Sequence, residues 1–191
     1  MKTVKENFTN EIIIKNSRFI TLLFQVFDDT DISSIIDKVK IEYPKANHYC
    51  YAYITENKKK ASDDGEPGGT AGMPMLNVLE KENIINVLAI TVRYFGGIKL
   101  GAGGLVRAYS KSVRDAILRC NEVEVVKGVK VKITISYDMQ KNLDYTLREY
   151  NVVNKIYDEK VTYTVLLPND KLDLINDYDY VVVSEEFIEK I

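Results

Sequence analysis

A chain of 191 residues, 46% hydrophobic and 28% charged, is long enough to bury one large core or two smaller ones. Its formal net charge of −2 excludes a wholesale electrostatic nucleic-acid binder, though not a local basic patch. No basic stretch followed by an apolar one opens the chain, and no apolar run is long enough for a bilayer, so a cytoplasmic protein without membrane contact is expected.

In chain order, residues 11–26 (EIIIKNSRFITLLFQV) read as a β-hairpin, with the strands separated by Lys15–Arg18 and a turn at Asn16–Ser17. Residues 30–44 carry Ile32, Ile35, Ile36 and Val39 at helical spacing, stopped by Pro44. HYCYAYIT (48–55) is a strand by its aromatic and β-branched content. The loop ASDDGEPGGTAG (61–72) follows, then a helix over 72–82 with Pro74 in its first turn. INVLAITVRYF (85–95) is apolar enough for a central strand, and a glycine-rich turn leads from it into a helix over 105–120.

Beyond residue 128 the pattern changes. A strand (129–137), a helical stretch (138–150), a hairpin (VVNKIYD and VTYTVLLP), a short helical piece (169–176) and a last strand (180–188) give a β-α-β-β-α-β order, the split βαβ sandwich. Charge divides at the same place. Residues 1–127 hold 18 basic and 16 acidic side chains, and residues 128–191 hold 8 and 12. Two domains, 1–127 and 128–191, are expected.

The glycine turn is the clearest chemical feature. A central strand running through Gly96, Gly97, Gly101, Gly103 and Gly104 into a helix N-terminus can cradle an anion, because unpaired N–H groups and the helix dipole point the same way. Val106 stands where a dinucleotide fingerprint needs its third glycine, and Ala102 where a P-loop needs lysine. Arg93, Lys99, Arg107 and Lys111 make phosphate or carboxylate binding credible; alternatively the glycines only let a tight turn pack on the sheet. Arg107, Lys111 and Arg114, at i, i+4 and i+7, form one basic stripe.

Arg93 lies on the strand face of Thr91 and Phe95, where an unpaired charge is costly. The acidic loop offers it Asp63, Asp64 and Glu66. These same carboxylates are the candidates for acid/base or Mg²⁺ chemistry, or they orient and close the loop. His48 and Cys50 share a strand face, so a nucleophilic pair is conceivable beside the plainer reading of a rim histidine and a buried thiol. One histidine and two scattered cysteines build no zinc set, and no cofactor is expected.

SDDGEPGGTAGMPMLNVL followed by VRYFGGIKLGAGGLVRAYSKSV, with KNSRFI and KANHYCYAY before them, resembles the YigZ/IMPACT family over about residues 15–120. The resemblance implies an α+β protein: an N-terminal ribosomal-protein-type α/β sandwich domain, then a ferredoxin-like domain similar to the last domain of elongation factor G. It also implies a binding or regulatory protein contacting RNA, the ribosome or another translation component, since eukaryotic relatives look like regulators of translation. Some bacterial relatives carry a proline-dipeptidase label. The alternative is therefore an enzyme acting on a small anionic substrate, such as a proline-containing dipeptide, through the Asp-Asp-Gly-Glu loop. In either case a small anion is expected at the N-terminus of the helix over 105–120.

Overall fold

Three strands open the chain in the computed structural model, which describes residues 1–190. β1 (Lys2–Val4) runs beside Ile84, with Lys2 N–H donating to Asn83 O and Ile85 N–H to Lys2 O. β2 (Phe8–Ile14) and β3 (Ser17–Gln25) form the hairpin. Their connection is Lys15 and Asn16, both at positive φ (45° and 64°), a two-residue turn whose twist suits antiparallel strands. The turn lies one residue earlier than expected because Ser17 already pairs with Ile14.

α1 (Ile32–Glu42) starts at Asp31, whose carboxylate accepts from Ser34 N–H at 3.2 Å, and ends before Pro44. β4 (His48–Ile54), β5 (Lys59–Ser62), α2 (Gly72–Lys81), β6 (Val87–Tyr94) and α3 (Ala102–Arg119) follow. The first sheet is antiparallel in the order β2-β3-β6-β4-β5, so β6 is central. Strand alternation sorts its two faces. Ile20, Leu22, Leu88, Ile90 and Val92 pack with Ile32, Ile35, Ile36 and Val39 of α1. The opposite face lies under α2 and α3. There Phe19 meets Tyr109 edge-on at 5.2 Å, and the Thr21 hydroxyl bonds both Thr91 and Ser112.

β7 (Glu122–Ile135) is followed by a 3₁₀ turn at Tyr137–Met139, α4 (Gln140–Thr146), β8 (Asn151–Tyr157), β9 (Val161–Pro168), a 3₁₀ helix (Asn169–Ile175) and β10 (Tyr180–Glu189). β10, β7, β9 and β8 lie side by side in that order, each antiparallel to its neighbour, which is the ferredoxin-like arrangement. Leu143 and Leu147 join Val131, Ile133, Tyr163, Val165, Leu167 and Ile175 in this core. The helix expected over 138–150 is shorter than its pattern, since Leu147 closes α4 and the chain turns there, with Tyr150 N–H bonded to Leu147 O.

Contacts divide the chain into two units, Met1–Val123 and Glu124–Ile191. Among the described residues no helix is long and apolar enough to cross a membrane.

Candidate functional site

The acidic loop gives its three carboxylates three different tasks. Asp63 turns back onto the start of α2. Its Oδ1 accepts from Ala71 and Gly72 N–H at 3.0 and 2.8 Å, and its Oδ2 from Gly69 N–H at 2.8 Å. It therefore serves as a remote cap for a helix that has no side-chain cap of its own. Burial pulls its pKa up, but the N–H groups of Gly69, Gly72 and Ala71 outweigh this and hold the carboxyl below its ordinary value. Asp64 accepts from Tyr49 N–H at 2.7 Å, stitching the loop to β4.

Glu66 is the carboxylate that meets Arg93. Its Oε1 accepts from Arg93 Nη1 at 2.5 Å and from the Tyr109 hydroxyl at 2.8 Å, with both charged side chains about nineteen-twentieths buried. The Arg93 guanidinium lies 5.4 Å from the Phe19 ring centre and 5.6 Å from that of Phe95. Its Nε is buried without a hydrogen-bond partner. Three elements converge here: the loop brings Glu66, β6 brings Arg93 and α3 brings Tyr109. Helical spacing places Tyr109 on an apolar face, and only the choice of tyrosine over phenylalanine marks its polar role.

His48 and Cys50 do not form a nucleophilic pair. The Cys50 thiol sulfur lies 2.9 Å from Asp63 O and 3.3 Å from the Tyr109 oxygen, two acceptors for its single S–H, and burial pushes its pKa up to about 12. His48 Nδ1 lies 2.9 Å from Asp64 O. A carbonyl only accepts, so Nδ1 carries a hydrogen, and in the neutral imidazole Nε2 offers a lone pair. Nε2 stands 3.8 Å from Glu66 Oε2.

Beside these residues opens a cleft of about 460 Å³, lined among others by His48, Glu66, Arg93, Phe95, Lys99 and Gly101. From the glycine turn, Lys99, Leu100, Gly101 and Ala102 line it. Gly96 is there because a Cβ would sit 2.1 Å from the Asn16 carbonyl carbon of the β2–β3 turn. Gly97 and Gly101 have positive φ, 84° and 71°. Gly103 and Gly104 belong to the first turn of α3, which starts three residues earlier than the apolar spacing indicates. Of the basic stripe, Lys111 pairs with Asp115 at 2.7 Å and Arg114 with Glu82 at 3.5 Å. Lys99 and Arg107 have no acidic partner among the described residues, and of these two only Lys99 lines the cleft. Among the described residues no group of three or more His, Cys, Asp or Glu side chains could hold a metal ion.

Residues 15–117, which contain every group named in this site, match the Impact N-terminal domain. The chain belongs to the IMPACT family. It is 45% identical to the IMPACT family member YvyE of Bacillus subtilis over 75% of this chain and 64% of that protein. With the IMPACT family member YigZ of Escherichia coli it shares 33% identity, covering 83% of this chain and 81% of the relative. The crystal structure of a hypothetical protein superposes with a TM-score of 0.65 at 30% identity, covering 97% of this chain and 98% of its own. In this IMPACT-family chain the matched residues thus span both halves of the cleft, the acidic loop and the glycine turn.

Proposed function

We propose that this IMPACT-family protein is a binding protein that docks an anionic group in the cleft at the start of α3, with RNA or the ribosome as its target. The observation that carries the reading is the gathering, in one cleft, of the uncapped N-terminus of α3, the unpaired Lys99 and the buried Arg93. Arg107 adds a second free cation on the exposed side of the same helix. The resemblance of the family's eukaryotic members to regulators of translation supports a regulatory role in that process. Catalysis by the acidic loop finds less support, because Asp63 is committed to three backbone N–H groups and Asp64 to a fourth.

The test is fluorescence anisotropy of a labelled single-stranded RNA with the full chain, between about 50 and about 200 mM salt. Affinity is expected to fall steeply with salt and to weaken further in Lys99→Ala plus Arg107→Ala. An isotherm flat in salt and unchanged by the double substitution would overturn the reading.

A further inference from the structure

The cleft beside α3 presents three different chemistries. On one side Gly101 and Ala102 open α3, whose first N–H groups have no acceptor within the helix, and Gly101 supplies no side-chain cap. Lys99 lines the cleft next to them in sequence, so this part suits a phosphate.

The second chemistry is a pair of acceptors without a donor. Glu66 is 8% exposed, and both of its hydrogen bonds fall on Oε1. No donor among the described residues is within hydrogen-bonding distance of Oε2. Its neighbour at 3.8 Å is His48 Nε2, which in the neutral ring is also an acceptor, since Nδ1 then carries the one hydrogen and gives it to Asp64 O. Two acceptors this close await a group that donates twice, such as a pair of neighbouring hydroxyls. A cation is the poorer occupant, since Arg93 already balances the Glu66 charge.

The third is a planar apolar wall. Phe95 is 44% exposed and lines the cleft with Pro67 and Leu100, while the Arg93 guanidinium 5.6 Å from its centre steadies the ring. At about 460 Å³ the cleft is the size of a small-molecule site.

Resting on the reading of the cleft as an anion site, we propose that it holds one ribonucleotide. The phosphate sits on the α3 N-terminus and Lys99, the ribose hydroxyls donate to Glu66 Oε2 and His48 Nε2, and the base lies against Phe95. A ribonucleotide carries all three matching parts, and its 2′-hydroxyl is the group that separates RNA from DNA. Free nucleotide and single-stranded RNA present the same chemistry.

The experiment is calorimetric titration of the full chain with adenosine 5′-monophosphate, its 2′,3′-dideoxy counterpart and inorganic phosphate, at one salt concentration. The ribonucleotide is expected to bind about tenfold more tightly than the dideoxy form, with phosphate weakest. Phe95→Ala should weaken both nucleotides and leave phosphate unchanged, whereas Lys99→Ala should weaken all three ligands. Equal affinity for the ribo and dideoxy forms, with phosphate still competing, overturns ribose recognition while the anion site stands. No binding of any of the three overturns both. Adding a five-nucleotide adenosine strand separates the sources: tighter binding than the monophosphate assigns the site to an RNA strand, and equal binding assigns it to the free nucleotide.

Discussion

Each unit of this protein contains the same three groups in contact, a carboxylate, a cation and a tyrosine hydroxyl, in opposite surroundings. In the first, Glu66 holds Arg93 at 2.5 Å and the Tyr109 hydroxyl at 2.8 Å, with 3% and 6% of the charged side chains exposed. In the second, Asp144 holds Lys155 at 2.6 Å and the Tyr163 hydroxyl at 2.7 Å, with 41% and 31% exposed. The distances are nearly equal, so geometry does not distinguish them. Burial does: water screens and replaces the partners of Asp144, and reaches those of Glu66 far less.

The largest effect should come from breaking the buried cluster. Glu66→Ala leaves the Arg93 charge in an apolar strand and is expected to cost about 3–5 kcal/mol. Hydrogen exchange, which reports each unit separately, should show the loss in β3, β4 and β6 and leave β7 and β9 unchanged. If Asp144→Ala costs its own unit as much, burial is not what separates the two clusters.

Next comes Asp63, whose loss orphans three N–H groups at the start of α2. Asp63→Ala is expected to cost about 2 kcal/mol by urea denaturation. The pH dependence sharpens this. The carboxyl titrates near 4 in the unfolded chain and lower in the folded one, because its N–H donors outweigh the opposing effect of burial. Its stabilisation is therefore complete above about pH 4 and is lost as pH falls through the folded value. Melting temperatures taken downward from pH 6 should converge for the parent and Asp63→Asn at the acid end. A gap that stays constant to pH 3 would rule out the carboxylate as the source.

The same contrast between local pattern and distant partner governs how much the sequence discloses. Alternation and helical spacing are local, so the hairpin, α1, β4, α2, β6 and the β-α-β-β-α-β order are legible in the residues. β5 is not, because LysLysAlaSer has the composition of a loop, and its lysines are what an exposed edge strand tolerates. The early start of β7 is hidden by Gly128, which looks like an interruption. In the fold a Cβ there would lie 2.6 Å from Leu167 O, so the glycine lets β7 and β9 approach closely. At the site, an acidic partner for Arg93 follows from the cost of a bare charge, but the choice of Glu66 over Asp63 and Asp64 does not. That choice depends on α2 claiming Asp63 six to nine residues downstream and β4 claiming Asp64 fifteen residues upstream, contacts that residue composition does not announce. The polar roles of Tyr109 and of His48 Nε2 likewise arise only when three separate elements meet.

The smallest effect belongs to the exposed cluster and completes the comparison. Lys155→Met removes the cation from Asp144 but keeps an apolar stem to cover Tyr163, whose ring centre lies 4.7 Å from Lys155 Nζ. Asp144 retains the Tyr163 hydroxyl and gains water, so the cost should stay within about 1 kcal/mol and shrink as salt is raised. Arg93→Met conserves a similar stem, yet it leaves Oε1 of the 3%-exposed Glu66 carboxylate with the Tyr109 hydroxyl as its partner. Measured by hydrogen exchange in the unit concerned, it should cost several times more and respond little to salt. Matching costs and matching salt dependence for the two substitutions would mean that water in the cleft reaches Glu66 Oε1 as well, and the cluster would then be a solvated wall rather than a buried one.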